Sequence, residues 1–152
     1  VKIQLTPPVA GARILGLGSM QPDTVVTNHD LEKRVETNDA WIQSRVGIIE
    51  RRFGSAEDSV VSMGVDAGSK ALADAGVSPT DLDAVIVATC TMSKPIPNAA
   101  AQTADRIGVN GIGAFDVNTA CAGFCYGVGM AGDMIRSGTA RHVLVIGSEK
   151  LS

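Results

Sequence analysis

An α/β architecture with a mostly parallel sheet is predicted for this chain by three observations. Two unbroken, β-branched runs, DAVIVATCT (83–91) and HVLVIGSE (142–149), have the composition of strands buried on both faces. Helical periodicity fills the intervals, most clearly in SVVSMGVDAGSKALADAG (59–76). The alternation recurs along the chain, and joining strands through helices favours parallel pairing with both sheet faces covered.

The elements follow in order. ARILGLGSM (12–20) is a short, strand-like apolar run ended by Gly18 and Pro22. TNHDLEKRV (27–35) opens with Thr27 or Asn28 as an N-cap and continues amphipathically. TNDAWIQSRVG (37–47) reads as a second short helix, capped near Asn38 and stopped by Gly47, and IIERRF (48–53) as a short strand. In the helix that follows, Val61, Val65, Ala71, Leu72 and Ala75 form the apolar side and Gly76 the stop. After the strand at 83–91, NAAAQTADRIG (98–108) is helical, GAFDVN (113–118) a strand, CAGFCYGVGMAGDMIRSG (121–138) a helix and HVLVIGSE the last strand. No linker, repeat or low-complexity stretch interrupts the pattern, so residues 1–152 read as one domain.

Composition excludes several classes. With 45% hydrophobic and 19% charged residues, the chain suits a folded core; aromatics are only 3%, so Ala, Val, Ile and Leu must do the packing. A net charge of −3, without a basic run or aromatic platform, argues against nucleic acid. No apolar stretch is long enough to span a membrane, and VKIQLTPPVAGARILG at the start lacks a signal-peptide pattern. Cys90, Cys121 and Cys125 form no evident disulfide framework and suit a reducing cytoplasm. Neither a metal-ligand spacing, a Walker loop, a dinucleotide fingerprint nor a GxSxG elbow is present.

Chemistry in such sheets gathers at the carboxyl ends of strands. Cys121 follows the strand AFDV by a short turn and opens a helix without charge as far as Gly132. A thiol there meets the positive end of the helix dipole, which favours thiolate, and free amides that can hold an oxyanion. Gly123, Gly127, Gly129 and Gly132 imply close packing, hence a central, fully buried helix. The competing reading is a packed cysteine, since free Cys is among the most buried residue types. Cys125 and Cys90 are read as structural.

Thr37, Trp41 and Arg45 recur at a spacing of four, which places them on one helical face. Trp41 offers a stacking face and Arg45 a donor fork for phosphate. The alternative is a surface helix whose tryptophan docks in the core.

NTACAGF around Cys121, DAWIQSRVGI, VIVAT, AFDVN and HVLVIGSE together resemble the β-ketoacyl-acyl-carrier-protein synthase III family, from about Ala12 to Ser152. The resemblance implies a thiolase-like layered αβαβα fold, of which this chain is the N-terminal half. It implies a condensing enzyme of fatty acid synthesis, with Cys121 as the nucleophile that takes an acyl group from acyl-CoA. Condensation with malonyl-acyl carrier protein then follows, with loss of carbon dioxide. Coenzyme A enters only as part of a substrate and leaves as a product; no cofactor is bound permanently. Thr37, Trp41 and Arg45 match the family's CoA-binding residues. Ile96 falls where the family reaches across a homodimer into the partner's acyl pocket, and AFDV matches the strand that pairs across the two-fold axis.

The family also needs a histidine and an asparagine beside the cysteine. His29 lies in an exposed amphipathic helix and His142 at the far end of a strand, so neither serves, and neither Asn98 nor Asn118 matches the asparagine. The complementing His and Asn are expected from a C-terminal half or partner chain beyond these residues. Two alternatives remain: a non-decarboxylating acyltransferase of the same fold, and a noncatalytic thiolase-like binding subunit.

Overall fold

The computed structural model describes residues 11–152. The expectation for the N-terminal stretch therefore lies outside the described residues as far as residue 10. The described chain forms two compact units, residues 11–20 with 60–149, and residues 21–59 with 150–152.

The larger unit is an α/β layer structure. Its sheet contains β3 (Ala84–Ala88), β4 (Gly113–Val117) and β5 (Val143–Gly147) in the order β4-β3-β5, all parallel. The register sets Ala84 opposite Gly113 and Val143, and Ala88 opposite Val117 and Gly147, so the three carboxyl ends finish level. Every residue of β3 is buried, as its uninterrupted apolar run predicts. Side chains alternate across the sheet. Val85, Val87, Leu144 and Ile146 pack on one side with α3 (Val60–Ala75) and α4 (Ala99–Ile107). Ile86, Val117, Phe115 and Val145 face the other side, where Ala131 of α5 (Gly123–Arg136) joins them.

Local chemistry defines the helix ends. Asn98 caps α4 through its side chain, which accepts from the amide of Ala101 at 2.8 Å. Asp116 of β4 adds a bidentate cap, its carboxylate accepting from the amides of Ala99 (2.9 Å) and Ala100 (2.8 Å). The buried Ser148 hydroxyl donates to the Val60 carbonyl at 2.8 Å and ties the end of β5 to the start of α3. Gly76 ends α3 with φ +64°, in the left-handed region that glycine enters without steric cost.

The smaller unit holds β1 (Thr24–Thr27), α1 (Asn28–Glu32), α2 (Asp39–Val46) and β2 (Glu50–Phe53), with β1 and β2 antiparallel. Thr27, and not Asn28, is the N-cap of α1, in a reciprocal capping box with Asp30. Those bonds hold the Asp30 carboxyl well below its ordinary range. Asn28 is instead buried, donating to Asp39 Oδ1 and to the Ile48 carbonyl, both at 2.8 Å. The bounds of α2 agree with the sequence: Asn38 caps it and Gly47 terminates it.

Three expectations need correction. Residues 12–20 form no strand; the segment is irregular, with the Leu17 amide donating to Asp74 of α3 at 2.9 Å. β1 was not anticipated, because TVVT is too short to carry a period. On α5, Gly123, Gly127 and Ala131 are buried, whereas Phe124, Tyr126, Val128 and Met130 are 40–59% exposed. Gly123 and Gly127 pack on the sheet as predicted, but Gly129 has open space around it and Gly132 meets only Arg136 of its own helix, and among the described residues nothing covers the opposite face.

Candidate active site

The site is assembled where the parallel strands end. From Val117 at the end of β4 the chain passes through a 3₁₀ turn, Ala120–Ala122, and enters α5 at Gly123. Cys121 therefore lies in the turn just before the helix proper, not within its first residues. Ala120 has φ +48°, a left-handed conformation that costs a non-glycine residue roughly 1–2 kcal/mol. Strain of this kind, immediately before a candidate nucleophile, marks a position held by its surroundings. Neither a side-chain cap nor an acidic residue occupies the start of α5, so the positive end of its dipole is not neutralised locally.

The turn is held close to β3. A Cβ placed on Gly123 would stand 3.1 Å from Cβ of Ala88, and the Thr89 amide donates to the Val117 carbonyl at 3.1 Å. On the other flank the Ser148 amide donates to the Ala88 carbonyl at 3.1 Å. Cys121, the corner Thr89–Cys90–Thr91 and Glu149 thus all follow directly from the level strand ends.

All three cysteines are exposed, which corrects the structural reading of Cys90 and Cys125. Cys90 lies beyond the last residue of β3, outside the ladder that buries the strand, and Cys125 lies off the Gly123–Gly127–Ala131 stripe. The Cys90 thiol is pushed above its ordinary range, chiefly by hydrogen bonding to Glu149, with burial and the charges of Glu149 and Cys121 acting in the same direction.

Glu149 was missed by the sequence reading. Its Oε1 accepts from the Cys90 amide at 2.7 Å, while Oε2 accepts from the hydroxyls of Thr89 (3.2 Å) and Thr91. Burial opposes its charge, but the hydrogen bonds from Thr91, Cys90 and Thr89 outweigh it and keep the carboxyl below its ordinary range. The available signal was position, since Glu149 stands just past a buried parallel strand, where polar side chains converge.

In the smaller unit, Trp41 and Arg45 share a face of α2, with the Arg45 guanidinium carbon 5.8 Å from the indole centroid. Trp41 is 56% exposed whereas Ile42 is buried, so Ile42 and not the tryptophan anchors the helix. Thr37 precedes the N-cap and is not on the helix, which corrects the shared-face expectation. It still lines an open cleft with Glu36, Asn38 and Trp41, and its buried hydroxyl has no hydrogen-bond partner. Ile96 is 84% exposed. His29 is an exposed residue paired with Glu32, and His142 Nδ1 lies 3.1 Å from the Asp81 carbonyl at the amino end of β5. His142 thus lies at the opposite end of the strand from the carboxyl-end cluster. Among the described residues no group of His, Cys, Asp and Glu could hold a metal ion, and no helix is long and apolar enough to cross a membrane.

Comparison with known proteins agrees with this geometry. The family described as 3-oxoacyl-[acyl-carrier-protein (ACP)] synthase III matches residues 115–152, which contain the end of β4, the Cys121 turn, α5 and β5. A β-ketoacyl-[acyl-carrier-protein] synthase III of Mycobacteroides abscessus is 48% identical over 91% of this chain and 41% of its own length. The crystal structure of the 3-oxoacyl-[acyl-carrier-protein] synthase III from Aquifex aeolicus VF5 superposes with a TM-score of 0.90 at 44% identity, covering 93% of this chain and 46% of that one. The priming β-ketosynthase of the R1128 polyketide biosynthetic pathway gives 0.91 at 36% identity, covering 97% and 44%. The chain spans less than half the length of each of these relatives. Over more than nine-tenths of its length, the chain is thus similar in sequence and in fold to these β-ketoacyl-acyl-carrier-protein synthase III proteins.

Proposed function

We propose that the protein carrying this chain is a condensing enzyme that primes fatty acid synthesis, with Cys121 as its nucleophile. The observation that carries the reading is the exposed thiol of Cys121 on a strained turn, between the end of a parallel strand and the start of an uncapped helix. The Cys121 thiolate attacks the carbonyl of an acyl-CoA. The carbonyl π electrons move onto oxygen, and that oxyanion meets the positive end of α5. Collapse expels the CoA thiolate and leaves the acyl group on sulfur. Malonyl-acyl carrier protein then loses carbon dioxide, and its carbanion attacks the acyl thioester. The new carbon–carbon bond gives β-ketoacyl-acyl carrier protein and returns the Cys121 thiolate.

Thr37, Trp41 and Arg45 are proposed to hold CoA. The exposed indole supplies a stacking face for adenine, and the guanidinium beside it can bind phosphate. Turning the unpartnered Thr37 hydroxyl towards the cleft would add a polar contact. A homodimer pairing through β4 fits the sheet order, in which β4 is an edge among the described strands. Ile96, largely exposed, is proposed to enter the partner's acyl pocket, and its aliphatic side chain suits a longer or branched primer.

Residues 1–152 are proposed as the N-terminal thiolase-like domain, complemented by a further half or chain that supplies His and Asn. The uncovered outer face of α5 supports this, since a contiguous apolar face calls for a covering surface. Three unpaired thiols agree with a cytoplasmic location. Intact-mass spectrometry of the full-length protein with acetyl-CoA tests the function. One acetyl group should be gained at Cys121 and lost in Cys121→Ala; acetylation surviving that substitution would place the nucleophile elsewhere.

A further inference from the structure

Glu149 makes a set of contacts that acyl transfer by Cys121 does not itself require. A single carboxylate at the end of β5 reaches back to a segment roughly sixty residues earlier in the chain. There it accepts from the Cys90 amide (2.7 Å), the Thr89 hydroxyl (3.2 Å) and the Thr91 hydroxyl. The Thr91 amide completes the corner by donating to the Thr89 hydroxyl oxygen at 3.3 Å. Three consecutive residues are thus fixed by one side chain. They are the residues that follow β3, the central strand of the sheet.

The same corner flanks the Cys121 turn. The Thr89 amide bonds the Val117 carbonyl, and Gly123 packs directly on Ala88. A shift of residues 89–91 would therefore be transmitted to the turn on which Cys121 sits. The Cys90 thiol stands on that corner, with its amide held by Glu149.

From these contacts we infer that Glu149 is a positioning residue for acyl transfer: its carboxylate locks the Thr89–Cys90–Thr91 corner and through it fixes the Cys121 turn. This inference rests on the proposed role of Cys121. Glu149 takes no proton from substrate and forms no bond to it. The carboxylate suits the task because it is acceptor-only when ionised, so it can receive an amide and two hydroxyls together. A glutamine amide presents one acceptor oxygen and one donor nitrogen, and cannot keep all three contacts without reversing both hydroxyls from donor to acceptor.

The test is rapid-quench acetylation of the full-length protein by acetyl-CoA, read by intact mass, for wild type and Glu149→Gln. A misplaced reacting group loses rate steeply, so the variant should acylate at least about tenfold more slowly at saturating acetyl-CoA. Its half-saturating concentration should stay within about twofold, because the residues proposed to bind CoA are untouched. Removing the carboxylate charge should also move alkylation of Cys90 to lower pH, an electrostatic effect that a loss of packing alone would not produce.

Acylation of the variant at the wild-type rate would overturn the inference. Should Glu149→Gln fail to fold, the paired change Thr89→Val with Thr91→Val removes the same two hydroxyl bonds from the other side. It should slow acylation likewise, and a wild-type rate there would also overturn the inference. Absence of acyl-Cys121 in the wild-type protein with acetyl-CoA and with longer and branched acyl-CoA alike is a separate result that removes the proposed function itself.

Discussion

Gly127 of α5 lies so close over Val145 of β5 that a Cβ added to it would stand 3.0 Å from Cγ1 of the valine, with Cγ2 of Ile86 at 3.6 Å. That contact brings the helix backbone down onto the sheet. Gly127→Val should destabilise the fold by about 1–3 kcal/mol, the usual cost of overpacking. Gly129, on the same helix, has nothing within 4 Å of an added Cβ, so Gly129→Ala should stabilise by roughly 0.5–1 kcal/mol. Urea unfolding of both variants checks the contrast; equal effects would mean that the approach to Val145 does not govern packing.

Thiol reactivity should separate Cys90 from Cys121 by electrostatics, because both are exposed. Glu149 disfavours the thiolate of Cys90 by hydrogen bonding and by charge. Iodoacetamide at neutral pH should therefore modify Cys121 before Cys90, with the gap narrowing as pH rises. Peptide mapping over a time course measures this, and equal rates at neutral pH would contradict it.

Asp83 contributes a pH-dependent link between the starts of β3 and β5. Its Oδ2 accepts from the amides of Arg141 (2.6 Å) and His142 (3.0 Å), which hold the carboxyl below its ordinary range. A depressed folded-state pKa stabilises above the unfolded value and stops doing so as pH falls through the folded one. Stability should accordingly fall on acidification through and below the ordinary carboxylate range, and less steeply in Asp83→Asn. Urea midpoints measured across that range decide it.

Asp116 should matter to stability more than its place on a strand suggests. Asp116→Ala deprives the Ala99 and Ala100 amides of their acceptor, at a cost of about 1–3 kcal/mol. A drop in thermal midpoint would report the loss; an unchanged midpoint would mean that water caps α4 equally well.

Trp41 is the only tryptophan of residues 1–152, so the part of the full-length protein's tryptophan fluorescence that Trp41→Phe removes reports on α2. CoA should quench it in the full-length protein if adenine stacks on the indole. Arg45→Ala should weaken that binding about tenfold or more, the scale of a lost charge-assisted hydrogen bond. Fluorescence insensitive to CoA would remove Trp41 from the proposed site.

Much of the fold was legible from local chemistry. β3 and β5 announce themselves because a strand buried on both faces needs apolar residues throughout, whatever its neighbours. The ends of α2 follow from Asn38 and Gly47, whose effects depend on residues within one turn. Cys121 stands out as a candidate because strand, turn and apolar helix are contiguous. Trp41 and Arg45 stand out by their spacing, which a helix turns into contact.

Other features had no local signature. The four residues of β1 become a strand only because β2 pairs with them. The exposure of Cys90 depends on where the β3 ladder stops, and its perturbed thiol depends on a carboxylate far along the chain. Above all, the corner gripped by Glu149 exists because parallel pairing brings Ala88, Val117 and Gly147 level. Local residue patterns thus sufficed for the buried strands, the caps of α2 and the thiol that follows a strand. Which side chains meet at the strand ends depends on register between segments that share no sequence neighbours, and no local pattern encodes it.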